Sequence, residues 1–413
     1  MRYLYSLIWY LLTPFILIYL KYRGRKNPKY NLHWHERFGI HLKNSITKPI
    51  IWIHTVSVGE TRAISKLVAI LTNEYPAYQL LITNMTPTGR DTAQTLFPQA
   101  VVHYIPYDQP HAVLNFYRTF KPKLGLIMET EIWPNLIFYA KKLHIPLYLT
   151  NARLSKGSYR GYRKVSRLIN PIINQFTGIL CQDQNTATNF ANLGYLGHIA
   201  VVGNTKFDTL ADPKLLELAQ HLKQQIPNKR VVAFASTRDG EEELILNNLP
   251  QEFDYLILII PRHPERFEVV EELMKHKNLN YQKRSDNKPI EPDTQIFLGD
   301  SLGEMFGYYA MSDLAVMGGS FNPFGSQNLI EPLSLAKPVI FGPSTYNFAT
   351  VTSNALQDKC AIQVKDMHEC FVQIAHLLST PTEYSQLAHN SQTFIQRYQG
   401  ASRAIVDIIR THL

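Results

Sequence analysis

The most apolar stretch of the chain lies at its start. Residues 3–20 contain no charged side chain, and five basic residues follow within the next nine positions. A cleavable export signal carries its positive charge before the apolar run, so we interpret this segment as a membrane helix. Its length is just sufficient to span a bilayer, whereas Trp9, several tyrosines and Pro14 equally suit a helix that lies in the interface. A buried core helix is the third alternative, and the absence of a polar face in the pattern argues against it.

Beyond Pro49, short apolar runs alternate with helical patterns. Because these runs are apolar throughout and are separated by helices, they predict parallel sheets covered on both faces. The sequence therefore predicts an α/β protein with two Rossmann-like, doubly wound parallel sheets. The predicted strands are Ile50–His54, Tyr78–Asn84, Val101–Ile105, Leu124–Glu129, Pro146–Thr150, Gly178–Gln182 and His198–Gly203 in the first series, and Val231–Ser236, Tyr255–Ile260, Gln295–Gly299, Asp313–Gly319 and Lys337–Gly342 in the second.

The length of 413 residues exceeds what one hydrophobic core usually organises, so two domains are expected. We predict a membrane anchor with a basic segment at 1–26, a first Rossmann-like domain at 27–203 and a second at 204–400. A final helix at 401–413 is predicted to cross back to the first domain. Ligands of such sheets bind at the carboxyl ends of the strands, so the cleft between the two domains is the expected site.

Composition narrows the range of partners. A hydrophobic content of 45% and a charged content of 18% exclude a broadly disordered chain. The excess of 42 basic over 33 acidic residues suits nucleic acid, an anionic membrane or a phosphorylated substrate. Nucleic acid ranks last, because no DNA-binding module or basic-aromatic stripe is visible. The three cysteines lack the spacing of a metal site and are predicted to be buried, reduced thiols.

Carboxylates follow two strands of the first series. Glu60 opens a helix after the small-residue turn at Gly59, where it would either act as a base in the cleft or complement the helix N-terminus. Glu129 and Glu131 are two residues apart on a segment predicted to be extended, so they would share one side and repel each other. One of them then requires a cation or a proton. Trp133 is interpreted as a packing residue.

Basic side chains follow the fifth strand and continue along one helix. Arg153, Arg160 and Arg163 have no acidic neighbours in the sequence, so they do not form a predicted lattice of salt bridges. A solvated helix face is the ordinary interpretation of such a run. Its position near the cleft and the charge sign that it shares with the basic segment after the apolar run instead favour an anionic, membrane-resident ligand.

The strand ends of the second series suit a phosphate group. Ser236 and Thr237 precede a predicted helix with free amides, although either hydroxyl would equally serve as a helix cap. The stretch 318–332 places glycines at a strand end, followed by Asn328 and Glu331 on one face of a predicted helix. Such a pair would hold an anion and a hydroxylated ring together.

Seven blocks of the sequence resemble, in order, the signature blocks of the 3-deoxy-D-manno-octulosonic acid (Kdo) transferase family. These blocks are HTVSVGE, METEIWPN, NARLS, GNTKFD, STRDGEEE, PRHPERF and GGSFNPFGSQNLIEPLSLAKPVIFGPSTYNF. The resemblance implies a GT-B glycosyltransferase that moves Kdo from CMP-Kdo to the lipid A precursor lipid IVA. It implies acceptor binding for the first domain and nucleotide-sugar binding for the second. It also implies a location at the cell inner membrane of a Gram-negative bacterium, on its cytoplasmic side, in contact with anionic lipids.

The same resemblance implies roles for particular residues. Glu60 corresponds to the family's proposed general base, and Glu129 to a second glutamate important for activity. Gln327 stands where family members commonly have a histidine, and an amide cannot become cationic near neutral pH. The implied donor-binding residues are Lys206, Ser236, Arg262, Gly319, Asn328 and Glu331. The implied acceptor-binding residues are Arg153, Arg160 and Arg163.

The expected reaction is an inverting transfer in which a carboxylate removes the acceptor proton while cations and amides hold CMP. Neither a cofactor nor a metal is expected, since a sugar nucleotide with one phosphate gives little reason for magnesium. Three alternatives remain at this point. They are a GT-B enzyme that uses a UDP-sugar on a lipid acceptor, a soluble sugar-nucleotide epimerase, and a nonenzymatic membrane-surface binding protein.

Overall fold

The computed structural model describes residues 2–208 and 212–413, which form two compact units. The first unit contains residues 2–208 and 399–413, and the second contains residues 212–398. Residues 204–208 and 399–400, predicted in the second domain, therefore belong to the first unit. Residues 209–211, which the sequence places at the start of the second domain, lie outside the described residues.

The first unit is built on a seven-stranded sheet in the order β3-β2-β1-β4-β5-β6-β7, and every neighbouring pair is parallel. Its strands are β1 (Ile50–Thr55), β2 (Gln79–Asn84), β3 (Val101–Tyr104), β4 (Leu124–Met128), β5 (Leu147–Ala152), β6 (Gly178–Cys181) and β7 (His198–Val201). Its first ten helices are α1 (Arg2–Lys26), α2 (Trp34–Arg37), α3 (Val58–Ala63), α4 (Ser65–Glu74), α5 (Pro87–Leu96), α6 (Pro110–Phe120), α7 (Pro134–Lys142), α8 (Lys156–Lys164), α9 (Ser166–Ile173) and α10 (Gln184–Asn192).

The central strands are buried on both faces, as their unbroken apolar runs predict. β1, β4, β5 and β6 are buried at every position. Trp52 and its neighbours form the core on one face of the sheet, and Ile51 and its neighbours form the core on the other. Helices that follow the strands begin at side-chain caps or at prolines in the first turn, and α8 begins after the cap Ser155. The strand ends of this sheet therefore carry the loops considered below.

The second unit repeats the architecture with the strand order β10-β11-β9-β8-β12-β13-β14, again entirely parallel. The prediction of two doubly wound parallel sheets is confirmed. Its strands are β8 (Arg230–Thr237), β9 (Tyr255–Pro261), β10 (Tyr281–Lys283), β11 (Ile296–Leu298), β12 (Leu314–Met317), β13 (Val339–Phe341) and β14 (Ala361–Gln363). Its helices are α11 (Pro213–Gln225), α12 (Glu241–Asn247), α13 (Phe267–His276), α14 (Met305–Met311), α15 (Ile330–Ser334), α16 (Ala349–Gln357), α17 (Met367–Ser379) and α18 (Pro381–Tyr398).

The apolar N-terminal segment forms α1, which is long and apolar enough to cross a membrane. The helix is not a core helix, because most of its side chains are exposed. One side nevertheless packs on the first unit: the ring of Trp9 stacks on Tyr107 at 5.8 Å and lies 5.9 Å from Trp133. Ser6 donates a hydrogen bond to Asn135. The other side exposes a continuous set of large apolar residues, among them Leu4, Leu7, Leu11, Phe15 and Ile18.

The last helix, α19 (Ala401–Ile409), packs on the first unit. Ile405, Val406 and Ile409 are buried in the core on the α4 side of the sheet. Asp208 accepts hydrogen bonds from the amides of Gly400 and Ser402 at 2.7 and 2.6 Å, and thereby holds the start of this helix. The three cysteines are buried free thiols, as predicted.

Candidate active site

Glu60 lies in the first turn of α3, directly after β1. Its Oε2 accepts a hydrogen bond from the amide of Val56 at 2.8 Å, and its Oε1 accepts one from the hydroxyl of Ser57 at 3.0 Å. Ser57 Oγ in turn accepts from the Glu60 amide. This reciprocal pattern is a capping box, so the helix-terminal role considered from sequence is present. The residue remains partly exposed, so the carboxylate is not sealed within the core.

The surroundings of Glu60 favour its protonated form. Burial raises the pKa of this carboxyl group to about 7, and the negative charges of Glu129 and Glu131 act in the same direction. The hydrogen bonds from Val56 and Ser57 oppose the shift. A carboxyl group with a pKa near the working pH is suited to receive a proton in a reaction. Capping and base roles are thus compatible in one side chain.

Glu129 follows β4, the strand that pairs directly with β1. Its carboxylate Oε1 lies 3.0 Å from Nζ of Lys206, so the cation expected for one of the two neighbouring glutamates is present. The expectation of an extended segment is wrong, because β4 ends at Met128 and Glu129 has a φ of 59°. This left-handed conformation is uncommon for a residue other than glycine. The turn allows the backbone to leave the sheet while the carboxylate meets Lys206.

Glu131 takes a different partner. Its Oε2 accepts a hydrogen bond from the indole nitrogen of Trp133 at 2.6 Å. Burial raises the pKa of Glu131, and Glu129 raises it further. Trp133 also contacts Trp9 of α1. It therefore connects the apolar helix with the loop that carries Glu129 and Glu131, which its interpretation as a packing residue did not include.

Asn151, at the end of β5, holds the short 3-10 helix that carries Lys206. Its side-chain oxygen accepts a hydrogen bond from the amide of Thr205 at 3.1 Å, next to Lys206 in the chain. The buried Asn151 has a φ of 50°, a conformation that asparagine tolerates better than most residues. Thr130 donates a hydrogen bond to the carbonyl of Arg153 and so joins the loops after β4 and β5. The position of the Glu129–Lys206 pair is therefore fixed from two loops.

The basic helix α8 borders these loops. Glu131 acts electrostatically on Tyr162 of α8, whose pKa is raised chiefly by burial. Arg153, Arg160 and Arg163 are exposed, and no carboxylate among the described residues lies within 4.0 Å of them. Because no protein anion neutralises them, the three guanidinium groups remain available to an anionic ligand.

In the second unit, Glu241 organises the loops at the strand ends. Its buried carboxylate accepts hydrogen bonds from the amides of Arg238, Gly319 and Phe321 at 2.9, 2.6 and 3.0 Å. The expectation of free amides is therefore wrong for Arg238, and the Gly319 amide is likewise engaged. Burial raises the pKa of Glu241, whereas these hydrogen bonds lower it. An acidic residue occupies the place where a phosphate was expected to meet the amides.

Ser236 lies in a bulge between β8 and β9, with a φ of 57°. A Cβ atom on Gly318 would lie only 2.4 Å from the Ser236 carbonyl oxygen, so glycine is required where the two loops meet. The capping alternative is wrong: the residue before α12 is Gly240, and Thr237 instead donates a hydrogen bond to Glu242. The hydroxyl of Ser236 has no hydrogen-bond partner within 2–208 and 212–413, and remains available to a ligand.

Asn328 and Glu331 are close together, but they do not share a helix. Asn328 precedes α15, and its side-chain oxygen accepts from the amide of Ile330 at 3.2 Å. Its side-chain nitrogen donates to Oε1 of Glu331 at 3.2 Å. Burial raises the pKa of Tyr309 well above its usual value, Glu331 raises it further, and Arg262 lowers it. The predicted donor residues Arg262 and Glu331 therefore both act electrostatically on Tyr309, and Asn328 is hydrogen-bonded to Glu331.

Gln327 lies over Gly319, since a Cβ atom on Gly319 would be 3.1 Å from its amide nitrogen. The amide can donate a hydrogen bond there but brings no charge. Lys206, also predicted to bind the donor, belongs to the first unit and pairs with Glu129. The structure thus separates the predicted donor residues between the two units.

Several contributing residues were not predicted from the sequence. Glu241 was indistinguishable from its acidic neighbours in the run of three glutamates, and Glu242 is equally buried, so only the hydrogen bonds of Glu241 to the loop amides reveal its role. Asn151 lies near the end of the buried strand β5. A polar residue inside a largely apolar run was the sequence signal for its role. The contact between Trp9 and Trp133 joins residues far apart in the chain and left no local signal.

Comparison with known proteins shows the family to which the chain is similar. Residues 32–209 match the family model described as 3-deoxy-D-manno-octulosonic-acid transferase (kdotransferase). The 3-deoxy-D-manno-octulosonic acid transferase of Haemophilus influenzae is 32% identical over 100% of this chain and 99% of its own length. The enzyme of the same description from Bordetella pertussis is 32% identical over 97% of each chain.

A solved structure supports the fold. The UDP-GlcNAc 2-epimerase of Neisseria meningitidis, bound to UDP-GlcNAc, covers 88% of this chain and 100% of its own, with a TM-score of 0.60 and 14% identity. This likeness concerns the fold alone, and it agrees with the predicted GT-B type of two Rossmann-like units. The full-length relatives decide the family: the chain belongs to the 3-deoxy-D-manno-octulosonic acid transferases, a family of glycosyltransferases.

Proposed function

We propose that this protein transfers Kdo from CMP-Kdo to lipid IVA in lipopolysaccharide biosynthesis, with inversion at the anomeric carbon and Glu60 as the general base. Family membership supports the transfer of Kdo. The observation that carries the assignment of the base is the pKa of about 7 at Glu60, beside the Glu129–Lys206 ion pair. A partly exposed carboxyl group of this kind can accept a proton without leaving its position at the helix start.

In the proposed step, a hydroxyl oxygen of the acceptor forms a bond to the anomeric carbon of Kdo. The bond from that carbon to the phosphate oxygen breaks, CMP leaves with the electron pair, and Glu60 takes the hydroxyl proton. Glu129 holds Lys206, whose ammonium group supplies positive charge for the anionic donor. No covalent sugar-enzyme intermediate is required, and no metal takes part in the proposed step.

The nucleotide part of the donor is proposed to bind the second unit. Ser236 offers an unengaged hydroxyl, and Arg262 an exposed guanidinium group. Asn328 and Glu331 form a polar pair suited to ribose hydroxyls, which a carboxylate can bind by accepting their hydrogen bonds. Gly319 provides a backbone without a side chain at the same loop. Because Glu241 occupies three of the loop amides, we assign phosphate binding to side chains rather than to these amides.

The surface of the first unit supports the proposed acceptor and the proposed location of the protein. Lipid IVA is a phosphorylated lipid, and Arg153, Arg160 and Arg163 present unneutralised positive charge close to the Glu131 loop. Helix α7 contacts both α1 and α9, and α9 in turn contacts the basic helix α8, so α7 and α9 connect the apolar helix with the basic helix. We propose that α1 lies on the cytoplasmic face of the inner membrane, with its exposed apolar side among anionic lipids.

The test uses purified full-length protein with CMP-Kdo and lipid IVA, and mass spectrometry of the lipid products. We expect the lipid mass to rise by whole Kdo units, and the spectrum also counts the units added. Omission of Mg²⁺ should leave the rate unchanged. Glu60→Gln should reduce the rate by roughly 10²–10⁴-fold, the usual contribution of general base catalysis. Glu252→Gln, an exposed glutamate of the second unit, is the matched control and should retain the wild-type rate.

Parallel reactions with UDP-sugars separate the main alternative. Product formation from a UDP-sugar, with none from CMP-Kdo, would contradict the donor assignment. A protein that binds lipid IVA without any mass increase would be a nonenzymatic membrane-surface protein. Full activity of Glu60→Gln would contradict the role of Glu60 as the general base. The proposed transfer of Kdo would then still stand.

A further inference from the structure

Three imidazoles surround one buried carboxylate at the edge of the first sheet, away from the residues assigned to the transfer step. His33 and His35 flank the start of α2, Glu36 lies within it, and His103 belongs to the edge strand β3. The ligand atoms of His33, His35 and Glu36 all lie within 4.8 Å of one another. Glu36 is buried, whereas His33 and His35 are exposed. The cluster is therefore reachable from solvent.

The distances at this cluster fit metal coordination better than hydrogen bonding. Nδ1 of His33 lies 3.5 Å from Oε1 of Glu36, and Nδ1 of His103 lies 3.4 Å from the same oxygen. Two ligand atoms that are each about 2.1 Å from a tetrahedral zinc ion are about 3.4 Å apart. Hydrogen bonds between nitrogen and oxygen are shorter, at about 2.9 Å. The buried Nδ1 of His103 has no hydrogen-bond partner within the described residues.

The remaining contacts of Glu36 orient its carboxylate. Oε2 accepts hydrogen bonds from Arg90 and from the amide of Tyr104, the latter at 2.8 Å. Arg90 also reaches Oε1 at 3.2 Å, but the two imidazoles approach the same oxygen. Carboxylate ligands in metal sites are commonly fixed in this way by surrounding donors.

The backbone of His33 is a further sign of constraint. Its φ of 56° and ψ of 34° are left-handed, a conformation that is unfavourable for a residue with a Cβ atom. This conformation directs the chain into α2 with the imidazole beside Glu36. Strained conformations of this kind are concentrated at ligand and functional sites.

We propose that His33, His35 and Glu36 bind a divalent transition metal of the zinc class, with the imidazole of His103, whose Nδ1 lies 3.4 Å from the same carboxylate oxygen, beside the ion. Imidazole nitrogens suit zinc, nickel and copper, whereas magnesium and calcium require several oxygen ligands. A single carboxylate already paired with Arg90 cannot provide those oxygens. The bound ion would fasten the segment around α2 to the edge strand β3, and thus stabilise the connection between α1 and the first sheet.

The experiment uses untagged, full-length protein in detergent, stripped of metal by a chelator and then dialysed. Binding of Zn²⁺ is measured by titration, its stoichiometry by elemental analysis, and its effect by the thermal unfolding midpoint. We expect one Zn²⁺ per chain and a midpoint that rises with Zn²⁺ concentration. Because His35 is exposed and makes no side-chain hydrogen bond among the described residues, His35→Ala should fold normally. It should bind Zn²⁺ at least roughly tenfold more weakly, as loss of even an outer-shell partner does.

Two further variants make the outcome decisive. His103→Gln should also weaken Zn²⁺ binding, and His389→Ala, an exposed histidine of the second unit, should bind Zn²⁺ as the wild type does. The proposal is overturned if the wild type shows neither bound Zn²⁺ nor a raised midpoint. Equal affinity of His35→Ala and wild type would also overturn it. Since these readouts do not involve Kdo transfer, they are independent of the proposed function.

Discussion

The ammonium group of Lys206 lies 3.0 Å from Oε1 of Glu129. This ion pair joins the segment that follows β7 to the loop that follows β4. It places a positive charge beside Glu129, one of the two carboxylates that raise the pKa of Glu60. The pair thereby limits the negative charge around the proposed base. Both members are partly exposed, so the pair is expected to act more on protonation and ligand binding than on stability.

Removal of this cation should change the pH dependence of the reaction. Lys206→Met leaves the negative charge of Glu129 without this partner, so the pKa of Glu60 should rise above 7. The acidic limb of kcat/KM should move to higher pH by a few tenths to about one unit. The measurement is the rate of Kdo transfer between pH 5 and pH 9. Lys141→Met, in the exposed part of α7, is the control, and an unmoved limb in Lys206→Met would refute this electrostatic role.

Neutralising Glu131 should have the opposite effect. The charge of Glu131 raises the pKa of Glu60, so Glu131→Gln should lower it and extend activity to more acidic pH. The shift is expected to be about half a unit or less, since Glu129 has the larger influence. The glutamine oxygen can still accept from Trp133, so the loop should keep its shape. Full pH profiles of the variant and the wild type test this, and a shift to higher pH would contradict it.

The fold was predictable because its signal is local. Buried parallel strands leave unbroken apolar runs, and those in β1, β4, β8 and β9 were located directly from the sequence. β10 was missed because its three residues are polar and only partly buried at a sheet edge. Strand pairing there depends on the neighbouring β11, which a short window of sequence does not contain.

The candidate site was predictable in its residue types but not in its geometry. Glu60 and Glu129 were expected at strand ends and lie there, on the adjacent strands β1 and β4. The left-handed turn at Glu129 and the capture of loop amides by Glu241 depend on contacts between distant segments. Sequence patterns report the period of burial, but they do not report which polar groups meet after folding.

The start of α19 gives a test of stability. The carboxylate of Asp208 accepts two amide hydrogen bonds from Gly400 and Ser402, so Asp208→Ala leaves two donors at the helix start without their partner. We expect a loss of about 1–3 kcal/mol in the free energy of unfolding of the first unit, measured by denaturant titration. Asp407→Ala, on the exposed side of the same helix, should lose only a few tenths of a kcal/mol. Similar losses in the two variants would argue against a capping role of Asp208.

The loop network around Glu241 should matter for the donor. Glu241→Gln keeps one accepting oxygen and replaces the other by an NH2 group, which cannot accept, so at least one of the three backbone amides loses its acceptor. The KM for CMP-Kdo should rise by roughly tenfold or more, because loss of one charged hydrogen bond costs about 1.5–3 kcal/mol. Steady-state kinetics with varied donor measure this change. Glu243→Gln, on the exposed face of α12, is the control and should keep the wild-type KM. An unchanged KM in Glu241→Gln would show that the hydrogen bonds of Glu241 do not contribute to donor binding.

The exposed side of α1 gives the test of membrane contact. Leu11 and Phe15 are 63% and 67% exposed, so a double substitution to aspartate should not disturb the side of α1 that packs through Trp9. Burial of each apolar side chain contributes about 1.5–3 kcal/mol, and binding to anionic vesicles should fall by at least about tenfold. Leu196→Asp is the control, since Leu196 is 89% exposed elsewhere in the first unit. Unchanged sedimentation of the double variant with vesicles would show that this face does not meet lipid. Release of the wild type from membranes by alkaline carbonate would indicate a helix in the interface, because a spanning helix is held by its full apolar length.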